Sequence, residues 1–309
     1  MNRPPALTCR DRTLTMDRPL IMGVVNATPD SFSDGGELHD LEARVERCLA
    51  LVAAGATVLD IGGQSAITGV PEISIAEESD RLVPVVEGLR RASDCVISVD
   101  TYRPEVAEAA LTAGADIIND ISGVLDPALA EVAARHRAGF VLMHTRWKPK
   151  TRHNAMMIYD DVDGGVVGDV VTFLRERSDV LVAAGLSPEQ LIFDPGPDFA
   201  KTAAQTIEVL QSLDIVAALG RPLLLALSRK DFVGVVTARQ PRQRLAGTLA
   251  AIAFCIARAP HSILRVHDVG EVHDFLAVLD VLEGRTEIDA DAGLAAHLRW
   301  QSRIAPSGT

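Results

Sequence analysis

Val96-Ile-Ser-Val-Asp100-Thr-Tyr-Arg-Pro-Glu-Val-Ala-Glu-Ala-Ala-Leu-Thr-Ala-Gly114-Ala-Asp-Ile-Ile-Asn119 reads as an aliphatic run, a helical stretch and a second aliphatic run. Gly114-Ala115 falls where the helix should stop, since glycine readily takes the left-handed conformation that closes one. Both aliphatic runs end on a polar residue, Asp100 and Asn119. The unit this predicts is strand, helix, parallel strand.

The same unit recurs in both directions along the chain. Aliphatic runs stand at Leu20–Val25, Thr57–Ile61, Val96–Val99, Asp116–Ile118, Phe140–Met143, Leu191–Phe193, Leu223–Leu227 and Ile263–Val266. Helical spacing links Leu41, Val45, Cys48, Leu49 and Val52, then Leu245, Leu249, Ile252 and Ile256, and after the last run Val272, Phe275, Leu276, Leu279 and Leu282. Gly55-Ala56 closes a helix as Gly114-Ala115 does. Eight strand–helix units with right-handed crossovers predict an α/β fold, a single-domain (β/α)8 TIM barrel, ahead of an open doubly wound sheet. Residues 1–19 read as an N-terminal extension, 20–284 as the barrel and 285–309 as a polar tail, with Leu294–Trp300 the place for one short helix.

Composition agrees. Of 309 residues, 48% are hydrophobic and only 4% aromatic, so the core is built from aliphatic side chains, as suits parallel strands buried on both faces. A net charge of −12 argues against nucleic-acid binding, which needs lysine and arginine at the phosphates. Cys9, Cys48, Cys95 and Cys255 lack metal-ligand spacing and read as reduced thiols. The first twenty residues hold no continuous apolar segment, so neither a signal peptide nor a membrane anchor is expected, and the expected location is the cytoplasm.

Function is written at the strand ends. Asn26, Asp60, Asp100, Asn119, His144, Asp194, Arg229-Lys230 and His267 follow or end the successive runs. In such a barrel that end carries the active site. A strand ending at an acid before a turn explains one such residue; it explains so many polar groups at a core edge poorly, because burying them costs free energy. Asp100, Asn119 and Asp194 suit the amidine-like edge of a flat heterocycle, with Lys230 bonding a carbonyl or ring nitrogen opposite. Arg265 and His267, two apart on one strand, point to one side and with Asn26 and a divalent cation suit a phosphate or pyrophosphate. The plainer alternative for Arg265 and His267 is a surface ion pair with acidic helices. Gly35-Gly36 and Gly62-Gly63 lack the spacing of a nucleotide loop. Trp147–Arg152 reads as a solvated or substrate-gating basic run, and His136, His153, His261 and His273 as surface residues.

These residues resemble the dihydropteroate synthase family. Met22-Gly-Val-Val-Asn26-Ala-Thr-Pro-Asp30-Ser-Phe-Ser-Asp34-Gly-Gly is similar to its first signature, and Gly55-Ala-Thr-Val-Leu-Asp60-Ile-Gly-Gly to the start of its second. Ile97-Ser-Val-Asp100-Thr, Gly114-Ala-Asp-Ile-Ile-Asn119-Asp-Ile-Ser-Gly, Val141-Leu-Met-His144, Asp194-Pro-Gly, Phe199-Ala-Lys201, Ser228-Arg229-Lys230 and Arg265-Val-His267-Asp-Val resemble later blocks, in order. The resemblance implies a pterin pocket of Asp100, Asn119, Met143, Asp194, Phe199 and Lys230, and a pyrophosphate site of Asn26, Arg265 and His267. It also implies Mg2+ held at Asn26, a p-aminobenzoate side formed by Phe32, Ala66, Ile67, Thr68 and Ser228, and a homodimer. Asp100, Lys230, Arg265 and His267 are the implied catalytic groups. The implied reaction joins 6-hydroxymethyl-7,8-dihydropterin pyrophosphate to p-aminobenzoate, a step of folate biosynthesis.

The pattern breaks at Gln64-Ser65-Ala66-Ile67-Thr68-Gly69, where the family has Glu-Ser-Thr-Arg-Pro-Gly. Ile67 and Ala66 cannot donate to a leaving phosphate as arginine and threonine do. Pro197-Asp198 likewise displaces a family glycine ahead of Phe199. Three readings follow from the resemblance: a working synthase, a paralogue that binds pterin or pterin pyrophosphate with the second substrate lost or changed, and a pterin-dependent methyltransferase serving a corrinoid. The Arg265/His267 pair disfavours the last, since methyl transfer has no diphosphate leaving group.

Overall fold

The computed structural model describes residues 5–26, 41–64, 70–150, 159 and 163–300. A hairpin of β1 (Leu7–Cys9) and β2 (Arg12–Leu14) precedes the barrel, which opens with β3 (Leu20–Asn26). Then follow α1 (Leu41–Ala53), β4 (Val58–Gly62), α2 (Ile75–Ala92), β5 (Val96–Asp100), α3 (Pro104–Ala113), β6 (Ile117–Asp120), α4 (Ala128–His136) and β7 (Gly139–Met143). The second half runs α5 (Gly165–Ala183), β8 (Leu191–Asp194), α6 (Ala203–Gln211), α7 (Leu213–Ala217), β9 (Leu223–Leu225), α8 (Asp231–Thr237), α9 (Leu245–Ile256), β10 (Ser262–Val266) and α10 (Val269–Leu282). Strands β3 to β10 are parallel and close on themselves through the β10–β3 pair, so the sheet is a barrel and not the open alternative.

Local chemistry sets the element ends. Gly114 and Gly55 both have positive φ, 116° and 110°, as the helix-stop reading expects. Ser74 caps α2 by accepting from the Glu77 N–H, while Glu77 and Glu78 in its first turn and Arg90 and Arg91 in its last oppose the helix dipole. Thr202 and Gln205 form a reciprocal capping box on α6.

The chain forms two compact units, Met1–His273 and Asp274–Thr309. The first holds every barrel strand. In the second, Arg285 Nε pairs with Asp280 Oδ1 at 2.7 Å, and Ala296–Leu298 makes a 3-10 turn.

The hairpin is the element the sequence does not announce. Leu7, Cys9 and Met16 are fully buried in one cluster with Met22, Val58, Val96, Ile117, Val141, Ile192, Leu224 and Ile263 from all eight barrel strands. The extension is therefore part of the core at the strands' starting ends. Truncating such a side chain typically costs about 2–5 kcal/mol. Leu7→Ala should accordingly lower the urea midpoint markedly, and an unchanged midpoint would show that the hairpin is only laid on the barrel.

Candidate active site

The ladders set the residues in one row. Asn26 pairs with Gly62, Gly62 with Asp100, and Asp100 with Asn119, across β3 to β6. A Cβ on Gly62 would come 3.6 Å from the Asp100 Cβ, so the glycine leaves room beside that acid. The next ladder brings Met143 beside Asp194.

Asp60 organises the centre. Fully buried, it accepts from Ser98 Oγ at 2.6 Å, from Asn119 Nδ2 at 3.0 Å and from Arg265 Nε at 2.6 Å. Arg265 reaches further, its Nη2 donating to Asp100 Oδ2 at 3.1 Å. Because the Asn119 amide nitrogen is committed to Asp60, its Oδ1 must face the other way, and that atom is buried with no hydrogen-bond partner among the described residues. An unsatisfied buried carbonyl costs about 1–3 kcal/mol and calls for an explanation. A ligand N–H at this point supplies one.

Two more acceptors face the same region. Burial pushes the Asp100 carboxyl up to about 7, against the pull of the Arg265 guanidinium. Asp194 accepts from the Gly196 N–H at 2.7 Å, and burial raises its pKa too. On the other side Lys230 donates to the Pro197 carbonyl at 3.0 Å and lies 4.3 Å over the Phe199 ring, with its pKa lowered by burial. Asp198 ties this side together, accepting from the Asp231 N–H at 2.6 Å and the Phe232 N–H at 3.3 Å.

On the expected anion side the structure gives the partners of each residue. Arg265 is engaged with Asp60 and Asp100 inside the barrel mouth, not with acidic helices. Its Nη1 makes no hydrogen bond among the described residues. The His267 ring meets Ser228 Oγ through Nδ1 at 3.0 Å, partly buried at that contact. Desolvation, then Arg229 and Arg265, lower its pKa to about 4, so Nδ1 and Nε2 share one proton at neutral pH. Arg229 gives both arms to Asp268, at 3.2 and 2.5 Å. Asn26 ends β3 with its side chain exposed. No cluster of three or more His, Cys, Asp or Glu suited to a metal exists among the described residues. Asn26 thus fits a cation only as one oxygen ligand beside phosphates and water, which is how Mg2+ is commonly held.

Phe32, Ala66, Ile67 and Thr68 lie outside the described residues. Ahead of the 66–68 segment, Gln64 Nε2 donates to Tyr102 Oη at 3.1 Å and Gln64 Oε1 accepts from the Ile73 N–H at 3.1 Å.

Beneath the pocket lies a buried chain of charge. His144 is fully buried and joins Asp169 Oδ2 through Nε2 at 2.8 Å. Burial, Lys201 and Arg146 push its pKa down to about 2. The folded protein disfavours the imidazolium that the unfolded chain forms below about pH 6.5. The contribution of neutral His144 is therefore complete above that pH and is lost as pH falls toward the folded value, at a rate of about 1.4 kcal/mol per unit. Because the raised Asp100 carboxyl acts with the opposite sign over the same range, the slope is read as a difference: the urea stability of wild type should fall relative to His144→Gln by about this much per unit from pH 7 to 5. Equal slopes in both proteins would remove His144 from the account. Sequence reading named His144 as a strand end and as part of a family-like block, and missed Asp169, an acid inside α5 with no motif around it.

A family model described as "Pterin binding enzyme" matches residues 22–267. The dihydropteroate synthase of Synechocystis is 42% identical over 267 residues, 86% of this chain and 90% of that protein. A protein of Mycobacterium leprae named inactive dihydropteroate synthase 2 is also 42% identical, over 88% of this chain and 94% of its own length. The solved structure of Xanthomonas albilineans dihydropteroate synthase in complex with 7,8-dihydropteroate superposes with a TM-score of 0.79, at 41% identity over 90% of this chain and 99% of that one.

Proposed function

The chain belongs to the pterin-binding enzyme family, and from that premise we propose that it condenses 6-hydroxymethyl-7,8-dihydropterin pyrophosphate with p-aminobenzoate, releasing pyrophosphate. It is a dihydropteroate synthase-type transferase on a barrel running from about residue 20 to 284. The observation that carries this is the Asn119 carbonyl, buried without a partner among the described residues on the strand next to Asp100. Three acceptors in an arc, with an ammonium opposite, match a heterocycle whose one edge is all N–H and whose other edge accepts.

The chemistry asks little of a nucleophile and much of the leaving group. Departure of pyrophosphate leaves an electron-poor carbon conjugated with the pterin ring, which the aromatic amine attacks. Asp100 and Asp194 lie where they favour that positive charge, and Lys230 fixes the opposite edge while Phe199 packs on a face. His267, the free Nη1 of Arg265 and Asn26 are the groups available to the departing oxygens, and donors aimed at developing charge commonly carry much of the rate. Mg2+ would be held by Asn26 together with the diphosphate, and when bound it neutralises leaving-group charge. Ser228 orients His267 and, with Phe32 and the 66–68 segment, faces the amine. A homodimer and a cytoplasmic location belong to the same proposal. No helix among the described residues is long and apolar enough to cross a membrane.

A second reading has its own support. The sequence 64–69 departs from the family pattern, and a relative as similar as any quoted above carries the name inactive. In that reading the pterin pocket works and the amine side does not. Pyrophosphate release measured with and without p-aminobenzoate separates the two. Release that requires the amine and yields dihydropteroate supports the synthase; pterin binding without product supports the paralogue.

A further inference from the structure

Lys201 takes no part in the reaction proposed above, yet it is half-buried with its ammonium turned inward. Its Nζ meets His144 Nδ1 at 2.7 Å, the Gly196 carbonyl at 3.0 Å and the Phe199 carbonyl at 3.2 Å. All three N–H bonds of an ammonium are thereby used. His144 is a true acceptor at Nδ1 because its other nitrogen donates to Asp169, which Arg146 in turn holds. Tyr159 Oη donates to the next carbonyl, Ala200 O, at 2.8 Å. Three of these contacts thus end on carbonyls of the segment after β8.

That segment needs holding. Gly196, Asp198 and Ala200 have φ of 64°, 64° and 52°, and side chains other than glycine's are rarely stable there. Gly196 has no room for anything larger, since a Cβ would fall 2.1 Å from the His144 carbonyl. Strain of this kind persists only where the surroundings over-determine it. The same segment carries Asp194, through its bond to the Gly196 N–H, and the Phe199 ring beneath Lys230.

The geometry points to Lys201 as a positioning residue of the pterin site, holding the Asp194–Phe199 segment from below so that the Phe199 ring and the Asp194 carboxylate meet the heterocycle together. This rests on the pterin reading of the pocket. Lys201 touches no substrate; it acts through Phe199 and Asp194.

The test is a double-mutant cycle read by calorimetry with 6-hydroxymethylpterin, alongside the KM for p-aminobenzoate. Lys201→Met should weaken pterin binding roughly tenfold or more, as loss of charge-assisted hydrogen bonds does, with the amine KM unchanged. Lys201→Gln keeps two donors and should recover part of that loss. In a Phe199→Leu background Lys201→Met should cost less than about threefold, because residues that act as one unit are not additive. Equal losses in both backgrounds, or no loss in the first, overturn the inference. If Lys201→Met does not fold, Lys201→Gln carries the same cycle. A folded wild-type protein that binds no pterin would instead bring down the functional reading itself.

Discussion

Asp60→Asn should lower kcat/KM for the pterin substrate by roughly 10²–10³-fold, an effect of about 3–4 kcal/mol, although Asp60 is fully enclosed behind the pocket wall. The carboxylate accepts three hydrogen bonds, and an amide in its place has one oxygen and one nitrogen. With the new oxygen toward Asn119 and Arg265, Ser98 must turn to accept and the charge that held Arg265 is gone. With it toward Ser98, the new nitrogen faces two donors, Asn119 Nδ2 and Arg265 Nε. Asn119 then turns its amide over to offer Oδ1, and its nitrogen enters the pocket. An acceptor has become a donor, opposed to the N–H edge of the pterin. Arg265 meanwhile loses its 2.6 Å partner and its anchor beside Asp100. Breaking one partner from a buried pair typically removes about 3–5 kcal/mol of stability, so activity must be read well below the unfolding transition. Turnover within threefold of wild type would mean that the Asn119 orientation does not matter to the substrate.

This arrangement also shows where sequence reading stops. Asp100, Asn119, Asp194 and Lys230 are legible because strand ends in a parallel barrel share one rim, and eight aliphatic runs locate the strands. The helix stops at Gly55 and Gly114 are legible because their φ is a local property. The partners are not legible. Asp60 and Arg265 are 205 positions apart and meet only because β10 closes against β3. Nothing in the run around Arg265 says that two of its nitrogens face inward to acids and leave only Nη1 for an anion. Leu7-Thr-Cys9 is too short for its alternation to register as a strand, though it plugs the barrel. Lys201 stood inside a family-like block, but its role depends on a histidine whose tautomer is set by an acid on another helix.

Restoring Ala66→Thr, Ile67→Arg and Thr68→Pro together should raise the rate of dihydropteroate formation by about 10²-fold, the usual magnitude for one donor to a developing anion. The triple change is the right unit because the residues on either side of this segment already meet. Gln64 bonds Tyr102 through Nε2 and the Ile73 N–H through Oε1, so residues 64 and 73, which bracket the changed positions, are tied to each other. Gln64 itself should stay. Its Nε2 donates to Tyr102 Oη, whose own proton goes to Glu72 at 2.9 Å. A glutamate at 64 would need that same proton and would add a second carboxylate beside the first. Arg103 already pairs with Glu72 and Glu78, so no spare cation from that residue offsets the added charge. The quadruple variant with Gln64→Glu is therefore expected to gain less than the triple. Pterin affinity should be the same in all of these proteins, because Asp100, Asn119 and Asp194 are untouched. A triple variant with unchanged turnover and unchanged pterin binding would place the defect elsewhere on the amine side, with Phe32 and Ser228 next in line.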